Sequence, residues 1–239
     1  MIGSRARIGY VSPPLTAEVF PYEFYKIVPE GVTLVLTTLT VVALSPSEID
    51  QSYVASLQAA RAMAAAGVDI VVLGGMPVNL SRGQEDAKAM IAALEAELGV
   101  KVSTSASAQE TAVRTLGCRN VVVAHPYDES QTARQCGYAA RFGCNILGAA
   151  GLGSTLAQFG RVPRDAALEL GRTLLREHRR ADSILFFSPH WPTVEAIAPL
   201  EREFGVNVVT AAQAAIWDAL RRASISDRIA GYGRLFSQF

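Results

Sequence analysis

The sequence predicts an α/β protein of two related lobes, each built on a parallel sheet, with a cleft between them. Three observations predict it. Short apolar runs alternate with helical patterns along all 239 residues, as strands joined by crossover helices do. Several runs end in turns rich in Pro, Gly, Ser or His, and in open α/β sheets ligands sit past the carboxyl ends of the strands. The chain also repeats itself. A shift of 113 places Asp69 on Asp182, Gly75 on Ser188 and the run 8–14 on 121–127; a shift of 106 places 94–102 on 200–208; Gly31 and Gly143 agree at 112. Self-similarity of this kind points to two copies of one unit. The halves are 1–113 and 114–239, with the C-terminal tail a candidate to pack on the first lobe.

Residues 7–11 form the first strand. Ser12-Pro13-Pro14-Leu15 leaves it as a rigid loop, since proline fixes φ and removes a donor. A short helix is read over 22–29. β-branched residues over 32–37 give the second strand. Ser45, Pro46 and Glu48 stand as N-cap, N1 and N3 of a helix that runs to 66 and stops at Gly67. The third strand is 69–73. Gly74 to Asn79 reads as a loop whose glycines let the backbone approach a ligand closely. A helix over 84–98 ends on Gly99, and strand 100–103 and helix 107–116 close the first half. The second half repeats the plan: strand 120–124, exit loop 125–128, helix 130–142, strand 145–147, a flexible small-residue stretch 148–159, and a helix from Pro163 to about 179 that carries His178 on the surface. Strand 183–187, exit loop 188–192, helix 193–204, strand 206–209 and helix 213–223 complete it. A tail, 224–239, carries Gly231-Tyr232-Gly233-Arg234-Leu235-Phe236. Each half reads as a flavodoxin-like lobe with right-handed crossovers.

Half the residues are apolar, enough for a sizeable core, and 22 cations balance 22 anions. That balance excludes a basic nucleic-acid face or an acidic tail. No run of about 18 apolar residues exists for a membrane span, and the N-terminal residues are expected to lead straight into a strand, without the pattern of a signal peptide. Three cysteines without CxxC spacing fit a reducing cytoplasm. A homo-oligomer stays open.

Pseudo-twofold symmetry brings four exit loops together: 12–15, 75–79, 125–127 and 188–191. Gly75 and Ser188 then face one another across the cleft. The Walker lysine and the Gly-x-Gly-x-x-Gly pattern are both missing, so nucleotide binding is discarded.

The plan resembles the aspartate/glutamate racemase superfamily, in its arylmalonate decarboxylase and maleate cis-trans isomerase branch. Pro13-Pro14 at the first strand exit, Tyr127 after the fifth strand and the terminal Gly-Tyr-Gly-Arg-Leu-Phe carry the resemblance over nearly the whole chain. It implies lyase or isomerase chemistry at the carbon beside a carboxylate of a small (di)carboxylic acid, which is then the expected partner, with no metal or organic cofactor. Tyr127 matches the family's oxyanion-site tyrosine. The two reactive cysteine positions match Gly75 and Ser188, and the hydroxylated residues after the first match Met76 and Pro77.

A serine hydroxyl is a far weaker acid than a thiol and needs help to act. Ser188, His190 and His125 are therefore the expected catalytic group, histidine being able to move a proton near neutral pH. Gly75, Met76, Pro77, Asn79, Tyr127, Pro14 and Pro189 are the expected substrate contacts, with Arg82 a further candidate for a carboxylate. Structural roles also fit: Ser188 capping a turn, His190 stacked on Trp191, His125 satisfying a carbonyl. Two other functions stay open. One is a small-acid binding protein without catalysis. The other is a hydrolase or hydratase with a metal on His125, His190 and Asp128.

Overall fold

The computed structural model describes residues 2–239. Its elements run β1 (Ala6–Pro14), α1 (Val19–Ile27), β2 (Val32–Val41), α2 (Pro46–Ala65), β3 (Ile70–Leu73), α3 (Met76–Asn79), α4 (Gln84–Leu98), β4 (Lys101–Thr104) and α5 (Ser105–Leu116). They continue β5 (Asn120–His125), α6 (Thr132–Arg141), β6 (Asn145–Gly151), α7 (Ala166–Glu177), β7 (Ser183–Phe186), α8 (Val194–Phe204), β8 (Asn207–Thr210), α9 (Ala211–Arg222) and α10 (Arg234–Gln238). Two four-stranded sheets result, ordered β2-β1-β3-β4 and β6-β5-β7-β8, with every pairing parallel. The identical order is the internal repeat made visible.

The repeated aspartates do one structural job twice. Asp69 accepts the Arg7 N–H at 2.7 Å; Asp182 accepts the Arg119 and Asn120 N–H groups at 3.0 and 2.8 Å. Each carboxylate at the foot of a strand satisfies donors at the start of its neighbour. Thr104 and Thr210 likewise each cap the helix after the fourth strand of their sheet, closing a reciprocal box with Ser107 and Gln213. These caps aim the N-termini of α5 and α9 at the cleft.

The central strands are buried throughout, Ile70 to Leu73 and Ile184 to Phe187, as parallel strands covered on both faces must be. One apolar cluster runs from Tyr10 and Phe20 in the first half to Phe186 and Leu235 in the second. A smaller cluster, with Val71, Met63 and Leu94, lies under α2 and α4. The tail makes an ion pair from Asp227 to Arg5, and the Tyr232 hydroxyl donates to the Lys26 carbonyl at 2.7 Å.

Several boundaries differ from the sequence reading. The 148–159 stretch is not wholly loop: 148–151 extends β6, in register with 122–125 of β5. The small residues are there for space, since a Cβ at Gly148 would collide with the His178 ring and one at Gly151 with the Tyr127 carbonyl. His178 accordingly ends α7 as a half-buried cap instead of standing free on a helix surface. β2 runs on to Val41, α1 starts at Val19, and α5 starts at Ser105, where Thr104 caps it. Within 74–79, residues Met76–Asn79 close a helical turn with Pro77 in its first positions.

Candidate active site

The strand ends place the two symmetry-related positions as expected, and both carry left-handed backbone. Gly75 follows β3 with φ 79°, and Ser188 follows β7 with φ 69°. For glycine this conformation costs little; for serine it is strained by about 1–2 kcal/mol. At Gly75 a Cβ would stand 2.5 Å from Pro13 Cγ, so the β1 exit loop fills the space a side chain would need.

A narrow cavity lies between these two turns, with about 40 Å³ of free volume. The first half lines it with Pro13, Pro14, Leu44, Gly75, Met76, Pro77 and Val78, together with Ser105 and Gln109 from α5. The second half adds Tyr127, Gln135, Leu156, Phe187, Ser188, Pro189, His190 and Ala211. Leu44 also has left-handed backbone, φ 58°. Room for only a few waters means that a ligand enters when such wall residues give way.

Among the described residues, no Lys, Arg, Asp or Glu lines the cavity. Its polarity is neutral and oriented. The first residues of α5 and α9, Ser105 and Ala211, both face it, so two helix N-termini offer partial positive charge to an anion. Among the described residues, buried polar atoms of its lining lack geometric hydrogen-bond partners: Ser105 Oγ, Gln109 Oε1 and His190 Nδ1. Buried groups of this kind are normally satisfied; gathered at one cavity they mark a place built for a polar ligand.

Their orientations are fixed from behind. Gln109 Nε2 donates to the Phe186 carbonyl at 3.2 Å, which turns Oε1 outward as an acceptor. Ser12 Oγ donates to the Pro14 carbonyl and meets His190 Nε2 at 3.4 Å. Ser12 thus accepts from Nε2–H and leaves Nδ1 with its lone pair. Burial drops His190 to about 4, so the imidazole is neutral at pH 7. Its backbone N–H donates to Ser188 Oγ at 3.4 Å, while the ring makes no bond to that hydroxyl. Burial lifts Tyr127 to about 12, opposed by the neighbouring Ser188 hydroxyl.

Not every expected residue reaches the cavity. His125 Nε2 pairs with Thr132 Oγ1 at 3.0 Å, and its ring packs behind Tyr127. Asn79 Nδ2 donates to the Gly74 carbonyl at 3.2 Å, bracing the turn from within. Arg82 stacks on the Tyr53 ring at 4.4 Å. Among the described residues no three His, Cys, Asp or Glu side chains converge as a metal-ligand set. Sequence reasoning missed Ser105, Gln109, Gln135, Leu44 and Leu156. The only signal for Ser105 was its place after a capping threonine, which Ala211 repeats.

A second, wider cavity of about 440 Å³ shares Pro77 with the first. Pro46, Ile49 and Asp50 of the α2 region form one bank, and Arg134, Tyr138 and Arg141 of α6 the other. Burial raises the Tyr138 hydroxyl, with both arginines opposing the rise, and Arg134 likewise opposes the rise at Tyr127.

This arrangement of strand-end turns spans the region matched by one family model, described as arylmalonate decarboxylase, over residues 8–236. The chain belongs to the arylmalonate decarboxylase family. The arylmalonate decarboxylase of Bordetella bronchiseptica is 27% identical over 241 residues, covering 98% of each chain. A solved glycine-to-cysteine, cysteine-to-serine double mutant of arylmalonate decarboxylase, in liganded form, superposes with a TM-score of 0.88 at 26% identity, over 98% of this chain and 100% of that one. Family architecture reaches further. A maleate cis-trans isomerase from Nocardia farcinica, holding a covalently bound succinylcysteine intermediate, shares the fold at TM-score 0.83 and 22% identity, over 98% and 99% of the two chains. Where the sequence resemblance pointed to two thiols, this chain carries Gly75 and Ser188, in a pocket with no charged side chain among its described lining residues.

Proposed function

We propose that the protein removes carbon dioxide from a small malonate-type diacid and protonates the carbon left behind, with Ser188 as the proton donor. The observation that carries this reading is Ser188 itself: a hydroxyl on strained backbone at the strand end, lining the cavity beside Tyr127. One carboxylate is held by neutral donors and the N-termini of α5 and α9. The other meets a wall to which the first half contributes Pro14, Leu44, Met76 and Val78. Stripping water from a carboxylate there favours its loss as neutral carbon dioxide.

As that carbon–carbon bond breaks, its electron pair moves into the retained carboxylate and forms an enediolate. Oriented hydroxyls stabilise the new charge without reorganising. Ser188 gives its proton to the carbon. The resulting alkoxide takes a proton from Tyr127, and solvent restores the phenol. His190 stays neutral; its N–H steadies Ser188 Oγ. The scheme uses no cofactor.

Proton NMR in D2O tests it, with malonate, alkyl- and arylmalonates, maleate, aspartate and glutamate as the panel. Expected is loss of carbon dioxide and deuterium at the new C–H carbon of a malonate. Maleate turning to fumarate while malonates stay inert would replace decarboxylation by isomerisation. A silent panel with folded protein would leave binding alone.

Gln109 adds a condition on the substrate. Its outward Oε1 is an acceptor that a carboxylate cannot satisfy. A malonate bearing a hydroxyl or amino group on its substituent is expected to show KM about tenfold below its plain counterpart, the worth of one good hydrogen bond. Gln109→Leu is expected to remove the difference; equal KM values in the unmodified protein would count against it.

A further inference from the structure

The reactive loop is anchored from the opposite lobe by a buried carboxylate that the proposed chemistry does not use. Glu23 lies on α1 and is 1% exposed. Its Oε1 accepts the Thr193 N–H at 2.6 Å and the Val194 N–H at 3.0 Å, and Oε2 lies 3.4 Å from Thr193 Oγ1. Thr193 is the N-cap of α8, yet its own side chain caps nothing. A carboxylate of the first lobe thus takes over the orphan donors of a helix in the second, where charge complements the helix dipole.

That helix begins directly after Ser188-Pro189-His190-Trp191-Pro192. Two prolines stiffen this loop. Trp191 Nε1 donates to the Phe187 carbonyl at 2.8 Å and folds the loop onto its strand. Among the described residues, the other first-lobe hydrogen bond to the loop is the one between Ser12 and His190. A stiff segment held at both ends transmits a change at Thr193 to Ser188.

We propose that Glu23 is a positioning residue: it clasps the start of α8 from the opposite lobe and so fixes Ser188 and His190 over the cleft, a role that rests on this loop being the reaction site. Glu23 is also placed to report pH. Burial lifts its carboxyl to about 7 from an ordinary 4.5, against the pull of the Val194 and Thr193 donors and of Lys26. The charged groups around it are few. On α1, Lys26 pairs with Glu195 of α8 and lies over the Tyr22 ring. Arg164, before α7, lies 4.0 Å from Glu195 and over the same ring. On α9, Asp218 is held by Ser103 and Arg222, and Arg221 by backbone carbonyls. His190 stays neutral. Above about 7 the ionised Glu23 accepts from both amides at Oε1; below it Oε2 carries the proton, Oε1 accepts only as a neutral carbonyl, and the clasp loosens. Stability runs the other way. The folded value lies above the unfolded one, so this group's stabilisation is full below 4.5 and lost as pH rises through about 7.

The test uses amide NMR of the unmodified protein and fluorescence of Trp191 in a Trp217→Phe background, where it is the sole tryptophan. The Thr193 and Val194 amide shifts and the Trp191 emission are expected to titrate together with a midpoint near 7. Glu23→Gln is expected to flatten the emission titration. With a malonate that is turned over, it should lower kcat about tenfold, hold KM within twofold and erase the matching limb of the pH profile. Static amides between pH 5.5 and 8.5 would overturn the clasp, and that measurement needs no variant to fold. A Trp191 titration that persists in Glu23→Gln would also overturn it. Titrating amides with a silent substrate panel would sink the catalytic reading and leave the clasp; turnover with static amides would do the reverse.

Discussion

Ser188→Ala is expected to lower kcat on a malonate by about 100- to 10,000-fold, the usual span for a lost proton donor, with KM within about threefold. Steady-state carbon dioxide release measures it. The opposite substitution is as informative. A thiol, with pKa about 8.5, is a much stronger acid than an alcohol, so Ser188→Cys is expected to raise kcat where protonation limits the rate. Ser188→Gly separates chemistry from strain. It removes the hydroxyl and also the side chain that objects to φ 69°. It should therefore abolish turnover while stabilising the fold by about 1 kcal/mol, read from urea unfolding. A stabilised variant with full activity would remove Ser188 from the mechanism.

Gly75→Ala is expected to destabilise the protein by about 2–4 kcal/mol, combining left-handed strain with overpacking. The new methyl would meet Pro13 Cγ at 2.5 Å, and Pro13 is one of two prolines that stiffen the β1 exit. The collision has a named partner, so it has a named remedy. Pro13→Ala should recover part of the loss, and the double variant should be more stable than the two single changes sum to, by about 1 kcal/mol of coupling. Strict additivity in urea melts would show that backbone strain alone acts. The same collision makes a cysteine at Gly75 costly unless Pro13 moves.

Much of the fold was legible because parallel strands announce themselves. Ile70–Leu73 and Ser183–Phe186 are short, apolar and ended by turn residues, and the Asp69 and Asp182 repeat located both. β6 was cut short because Gly148, Ala149, Ala150 and Gly151 carry no side-chain signal; only the His178 ring and the Tyr127 carbonyl, distant in sequence, explain their size. The site was legible at strand exits, where Gly75, Ser188, Tyr127 and His190 fall together. His125 had the same credentials and turned away, because Thr132 on the next helix supplies its partner. Gln109 and Glu23 were invisible for a different reason. A glutamine or glutamate on a helix reads as a solvated face, and only the tertiary fold shows one anchored under a cavity and the other capping a foreign helix.

The division of charge between the two adjoining cavities has a kinetic consequence. The wide one carries Arg134 and Arg141 on one bank against a single Asp50 on the other, and the narrow one carries no charged side chain among the described residues. Encounter and retention of an acid are then governed by different physics. Attraction of an acid toward the wide cavity is Coulombic and exposed, so added salt, with a screening length near 10 Å at about 0.1 M, weakens it. Residence inside depends on buried dipoles that mobile ions do not reach. Association should slow severalfold between about 0.02 and 0.5 M salt while dissociation stays nearly constant, a split that stopped-flow binding resolves.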